Sequence, residues 1–299
     1  MSIVEILKKN RPKLSDSSLK TYISILKSTY KKIFPTDDEI NIKKYEDTDK
    51  FFKFLEPLGN KKKTYLSALY ILTQNKKYHE VMIKDANEYN EQSKSQKMDE
   101  KQKKNWITQD EIKELYKKYE TQANLLYKLQ NLTNKNLQQI QNFIILSLMS
   151  GQLINIRRLL DWSEMKISNY DEKEDNFLKQ NKGGWSFTFN KYKTKQFLGE
   201  QDVYLPTKLM SIIKKWLKLL KSEYPESEYL LIDSNGKKLN PTKLNQRLNL
   251  IFGKNAGVNI LRHSFITEKY KHLPGLKEME KEAKEFSHSL EQHLLYIKK

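Results

Sequence analysis

Three stretches near the end of the chain hold side chains that can act together on a phosphate. Leu261-Arg262-His263-Ser264-Phe265 brings an arginine, Phe286-Ser287-His288-Ser289 a histidine, and Tyr296 follows His288 by eight positions. A guanidinium is always charged and offers a planar fork of donors that fits two phosphate oxygens. A tyrosine oxygen has an ordinary pKa of about 10 and becomes nucleophilic where positive charge favours its phenolate. An arginine, a histidine and a late tyrosine in that order suggest a phosphate clamp beside a nucleophile. Further cations lie upstream, in Ile156-Arg157-Arg158-Leu159-Leu160-Asp161-Trp162 and in Asn190-Lys191-Tyr192-Lys193-Thr194-Lys195, and Asn259 stands three residues before Arg262. Taken singly each is ordinary: Tyr296 is one tyrosine of 17, and a basic turn needs no catalysis to explain it.

The elements that must position these residues can be read from spacing. Ser15 caps a helix whose buried face is Leu19, Tyr22, Ile23, Leu26, Tyr30 and Ile33, and Pro35 ends it. An apolar patch from Tyr45 to Leu55 stops at Pro57 and Gly59, after which Lys61-Lys62-Lys63 leads into the apolar run from Tyr65 to Leu72. Residues 1–88 therefore read as a small helical domain, with Lys61, Lys62 and Lys63 at a helix start that can hold a phosphate through charge and backbone amides. Residues 89–105 carry almost no apolar side chains and read as a linker, partly helical. Thr108 and Glu111 form a capping box that opens a second domain, 106–299. Its pattern is helical through Tyr119, breaks near 131–136, and resumes in the apolar segment Ile140 to Met149, which Gly151 terminates. Three short strands follow, Met165 to Ile167, Trp185 to Phe189 and Asp202 to Leu205, then helices over Leu209 to Leu220 and, capped by Asn240 and Pro241, Thr242 to Phe252. The expected fold is mainly α with a small antiparallel β-sheet: a helical N-terminal domain followed by an α+β domain.

Composition narrows the function classes. Lys and Arg number 55 against 37 Asp and Glu, a formal net charge of +18 spread along the whole 299-residue chain, and such a field suits a polyanion. With no cysteine there is no disulfide, thiol nucleophile or zinc-finger ligation, which fits a reducing compartment. The longest apolar run, around Phe143 to Met149, is far shorter than the roughly 18 residues of a membrane span. No secretory pattern opens the chain, so a soluble intracellular protein is expected. A Gly-rich phosphate loop, a His-Glu-x-x-His motif and an acidic cluster for two-metal cleavage are all missing, and neither metal nor cofactor is expected.

Taken together, Leu261-Arg262-His263-Ser264-Phe265, Ser287-His288-Ser289 and Tyr296 resemble the tyrosine recombinase (integrase) family, most closely the divergent branch of large DNA viruses, virophages and mobile elements. The resemblance covers the whole chain loosely and residues 150–299 specifically. It implies a core-binding domain and a catalytic domain closing as a basic clamp on double-stranded DNA, and four protomers on two DNA sites. It implies Tyr296 as nucleophile, Arg262 as one of two phosphate-binding arginines, and His288 as a donor to a nonbridging oxygen. The family's Arg-x-x-acid pattern falls on Arg158 and Asp161, with Arg157 a rival for the same role. The family carries a lysine on a hairpin in a Lys-Thr context, which falls on Lys193; Lys191 and Lys195 could equally touch phosphate. Where the family has histidine three residues before the second arginine, this chain has Asn259, which can donate a hydrogen bond but cannot take a proton at neutral pH. The implied reaction is site-specific cleavage and rejoining of DNA through a covalent 3′-phosphotyrosine. A type IB topoisomerase-like enzyme, or a DNA-binding descendant without catalysis, would share most of these features.

Overall fold

The computed structural model describes residues 1–285 and 289–294. They fall into two compact units, Met1–Lys97 with the described residues from Pro274 onward, and Met98–Leu273. The first unit opens with α1 (Ile3–Asn10), α2 (Asp16–Ile33), α3 (Thr48–Leu55), α4 (Lys62–Thr73) and α5 (Lys76–Lys94). Ser15 caps α2 as its position suggests, accepting from the Ser18 amide. The core is aromatic: Tyr45 stacks on Phe51 at 5.3 Å, and the buried hydroxyls of Tyr45 and Tyr78 donate to the carbonyls of Leu26 and Tyr45.

The second unit contains α6 (Glu100–Asn105), α7 (Gln109–Leu126), α8 (Asn134–Met149), α9 (Leu159–Ser163), β1 (Met165–Lys166), β2 (Asn176–Asn181), β3 (Gly184–Phe189), α10 (Lys195–Leu198), β4 (Gln201–Tyr204), α11 (Thr207–Glu223), α12 (Pro241–Phe252) and α13 (Val258–Lys269). After it, α14 (Leu276–Glu285) and α15 (Leu290–Leu294) belong to the first unit, where Lys94 pairs with Glu280 at 3.3 Å. The stretch 89–105, read as a linker, is largely the end of α5 and the whole of α6, and the unit boundary falls at 97. The described residues from 274 on group with the first unit.

Mainly helical architecture with one small sheet is what the pattern suggests. The sheet differs in two respects. It has four strands in the order β1-β2-β3-β4, and it is mixed, because β1 runs parallel to β2 while β2, β3 and β4 are antiparallel. The strand missing from the sequence reading is β2, Asn-Phe-Leu-Lys-Gln-Asn: its first three residues are buried and its last three exposed, so it never shows the period of two.

At the centre of this unit α8 buries every residue from Phe143 to Met149, which explains the apolar run without any membrane. No described helix is long and apolar enough to cross a bilayer. Two polar residues are buried on that helix: Ser147, whose hydroxyl donates to the Phe143 carbonyl at 2.8 Å, and Gln141. Gln141 donates to the Ile232 carbonyl and accepts from the Ile232 amide, both at 2.8 Å, as a strand neighbour would. Replacing it by leucine leaves two buried backbone groups unpaired, each costing about 1–3 kcal/mol. Gln141→Leu should therefore lower unfolding free energy by about 3 kcal/mol in urea titrations; an unchanged midpoint would show that Ile232 finds other partners.

Candidate functional site

The loop after α8 turns sharply at Gly151, whose φ of +81° lies in the left-handed region, and a Cβ there would stand 2.5 Å from the Phe265 ring of α13. Only glycine lets α13 approach this closely. Other contacts fix the same helix: the Gln109 side-chain amide of α7 donates to the buried Ser264 hydroxyl at 2.9 Å, and just before α13 the Asn255 amide donates to Asn105 of α6. Lys254 reaches both the Trp106 carbonyl and Glu111, and this ammonium, with the Thr108 amide, holds the Glu111 carboxyl below its ordinary range. Phe265 and Ser264 thus serve as anchors on either side of α13.

Arg262, half-buried on this helix, lines a surface depression with Asn155 and Ile156 of the loop that leads directly to Arg157 and Arg158. Asn259 and His263 face another depression, lined also by Lys101, Gln102, Asn245 and Asn255. The two depressions share no lining residue. Asn259 and Arg262 stand three positions apart on α13, the spacing of helix neighbours, yet they line different depressions.

The two adjacent arginines have opposite fates. Arg157 points inward, its side chain 15% exposed, and its Nε donates to Asp161 Oδ2 at 3.1 Å while Nη1 donates to Gln201 Oε1 at 2.9 Å. Its guanidinium lies 3.8 Å from the centre of the Phe189 ring and 5.2 Å from that of Tyr192. Burial pushes the Asp161 carboxyl above its usual value and the Arg157 guanidinium below its own, and the attraction between them opposes both shifts. Arg158, at the N-cap of α9, is partly exposed, and its side chain has no hydrogen bond or ion pair among the described residues. Two of the five N–H donors of Arg157 are thus engaged inside the protein, and none of those of Arg158.

The lysine cluster repeats the pattern. It sits in an excursion, residues 190–200, between β3 and β4. Lys191 pairs with Glu164 at 3.1 Å, and the Lys195 ammonium donates to the Lys173 carbonyl at 2.8 Å. Lys193 is exposed and has no side-chain partner among the described residues. The excursion's base is held by Asn176, a fully buried β2 residue: its side-chain nitrogen donates to the carbonyls of Asp161 and Lys191, and its oxygen accepts from the amides of Asn190 and Lys191. Asn176, Glu164, Phe189 and Gln201 escaped the sequence reading. They have no motif, and β2 gives no periodic signal to direct attention to Asn176.

In the first unit, Lys62 pairs with Asp85 at 3.0 Å, while Lys61 and Lys63 are exposed and unpaired among the described residues. Helix α4 begins here with no side-chain cap. His288 and Tyr296 lie outside the described residues.

Removing one member of a buried ion pair costs about 3–5 kcal/mol, because the other charge is left uncompensated. Arg157→Ala should destabilise the second unit by that amount. Arg157→Lys should recover only part, since a compact ammonium lacks the planar fork that reaches Asp161 and Gln201 from over the Phe189 ring. Denaturant titrations followed by tryptophan fluorescence check both, and a wild-type midpoint for Arg157→Ala would rule the clamp out.

No protein-family model matches the chain, and no curated protein matches it. Among solved structures, a crystal structure described as that of XerA recombinase is similar over 98% of this chain and 92% of that one, with 13% identity and a TM-score of 0.38. This is a distant likeness, too slight to transfer the role of any residue.

Proposed function

We propose that the protein is a site-specific tyrosine recombinase that cuts and rejoins duplex DNA through a covalent 3′-phosphotyrosine. In this reading the Tyr296 oxygen attacks the scissile phosphorus, its proton passing to water, and the bond to the 5′ oxygen breaks. Arg158 and Arg262 hold the charge that builds on the nonbridging oxygens. Lys193 gives its ammonium proton to the leaving 5′ oxygen, and His288 donates to a nonbridging oxygen. The phosphodiester energy stays in the protein–DNA bond, so rejoining needs neither ATP nor a metal ion. Exchange between two sites calls for four protomers.

One observation supports this reading above the others. Arg158 and Lys193 each stand beside basic neighbours, and in both clusters the neighbours are engaged within the protein while the residue matching the motif is not. Arg262 is likewise unpaired among the described residues. A second reading, a DNA-binding protein without cleavage, draws on Asn259, which lines a different depression from Arg262 and whose amide cannot take a proton at neutral pH. A duplex nicked close to the cleavage point, which traps the covalent complex, separates the two. Adduct with the wild type but not with Tyr296→Phe, followed by strand transfer to a second duplex, supports the recombinase; nicking and resealing without transfer points to a topoisomerase-like enzyme; DNA binding without adduct supports the second reading.

The proton-donor role of Lys193 is separable from charge. With a substrate whose scissile 5′ oxygen is replaced by sulfur, the leaving thiolate needs no proton. Lys193→Ala should cleave the normal substrate about a hundredfold or more slowly, within the usual range for a general acid, and the sulfur substrate at nearly the wild-type rate. Equal defects on both substrates would remove Lys193 from that role, and Lys191→Ala should show no such rescue.

The lysines at the start of α4 make a different prediction. Each phosphate contact contributes a slope of about 0.9 in log affinity against log salt. Lys61→Gln with Lys63→Gln should reduce the slope by about two such contacts, whereas Lys62→Gln, already paired with Asp85, should change it little. Fluorescence anisotropy over a salt series reads this directly, and an unchanged slope for the double variant takes α4 out of the interface.

A further inference from the structure

The excursion that carries Lys193 ends in two bulky apolar side chains held out in solvent. Phe197 is 77% exposed and Leu198 60% exposed, adjacent on the single turn α10. Isolated exposed apolar residues are common on any surface. This pair is different because of how it is held. The amides of Phe197 and Leu198 both donate to the Thr194 carbonyl, and the Gly199 amide closes the turn on the Lys195 carbonyl at 2.8 Å. Gly199 then leaves with φ +67°, a left-handed conformation that a glycine accepts without strain. Below the turn, the Tyr192 hydroxyl donates to the Gly199 carbonyl at 2.6 Å, and the Lys195 ammonium ties the turn to Lys173. The pair is thus presented on a braced tip, where collapse onto the protein would hide it.

What covers it can be argued from charge. Lys193 and Lys195 precede the pair within four residues, Lys191 being paired with Glu164, and no acidic side chain occurs between Asn190 and Gly199. A basic approach with an apolar point suits a partner that is anionic outside and apolar within, which is the arrangement of stacked base pairs between phosphates. Phenylalanine and leucine are among the side chains that wedge between base steps and unstack them.

We propose that Phe197 and Leu198 form a wedge that enters the DNA beside the phosphate approached by Lys193, unstacking a base step there. This rests on the recombinase reading for its location, though not for its chemistry. Opening a step next to the scissile bond would bend the duplex and free the local backbone to adopt the geometry that in-line attack requires. The pair would then govern which sequences are cut, because flexible pyrimidine–purine steps open more readily than others.

The test uses the full chain and the double variant Phe197→Ala with Leu198→Ala, whose thermal unfolding should match the wild type because both side chains are in solvent. Short duplexes carry 2-aminopurine at successive positions, and binding is followed by anisotropy while unstacking is read from 2-aminopurine emission. The wild type should raise emission several-fold at a confined set of positions. The double variant should leave emission at the free-DNA level while keeping the wild-type salt slope, since no cation has been removed. Equal emission with both proteins, or wild-type binding without any rise, overturns the wedge. Loss of self-association in the variant with unstacking intact would also overturn it, making a second copy of this chain the partner. The covalent trapping assay keeps the two claims apart. Adduct without unstacking sinks the wedge alone, and unstacking without adduct sinks the recombinase reading alone.

Discussion

A buried guanidinium, Arg157, holds together the parts of the second unit that bear the candidate cations. It binds Asp161 in α9, lies over the Phe189 ring at the end of β3, and donates to Gln201 at the start of β4. Those last two residues are the two ends of the excursion that carries Lys193. Removing both charges from water is costly, and the pair is tolerable because Asp161 and Gln201 both accept from the guanidinium while Phe189 lies under its face. A lysine could not replace this geometry, because a point charge has no plane to stack and no second donor in fixed register. Asn176 performs the same bracing with neutral hydrogen bonds, joining the Asp161 carbonyl to the base of the excursion.

This division between engaged and free cations has an electrostatic logic. The chain carries a net charge of +18, and cations in direct ion pairs, such as Lys191 with Glu164 or Lys62 with Asp85, contribute little to binding another anion. Lys193 and Arg158 remain available, with their supporting scaffold already rigid. In the proposed reaction a phosphate there would meet donors that need little reorganisation, the condition under which fixed charges act most strongly on a developing oxyanion. Exposure keeps the free cations hydrated, so their unpaired state in the absence of DNA costs little.

Much of this was legible in the sequence. The capping box at Thr108 and Glu111, the cap at Asn240 and the apolar stripe of α2 appear where spacing places them, because local rules decide helix starts and buried faces. Strand β2 was not legible, since half of it is buried and half exposed without alternation. Nor could spacing alone decide between Arg157 and Arg158. Their order along the chain is the same whichever points inward, and the choice is made by Phe189 and Gln201, more than thirty residues downstream. The sequence likewise gave no hint that Phe197 and Leu198 would stand in solvent, because two apolar residues before a glycine read equally well as a buried turn.

The central claim is that one tyrosine, Tyr296, becomes joined to DNA. Trapping the protein on a nicked duplex, digesting both polymers and sequencing the nucleotide-linked peptide by mass spectrometry tests it most directly. The account predicts a single phosphonucleotide on the peptide containing Tyr296. Linkage to any other of the 17 tyrosines, or no linked peptide from a complex that binds DNA, would contradict it.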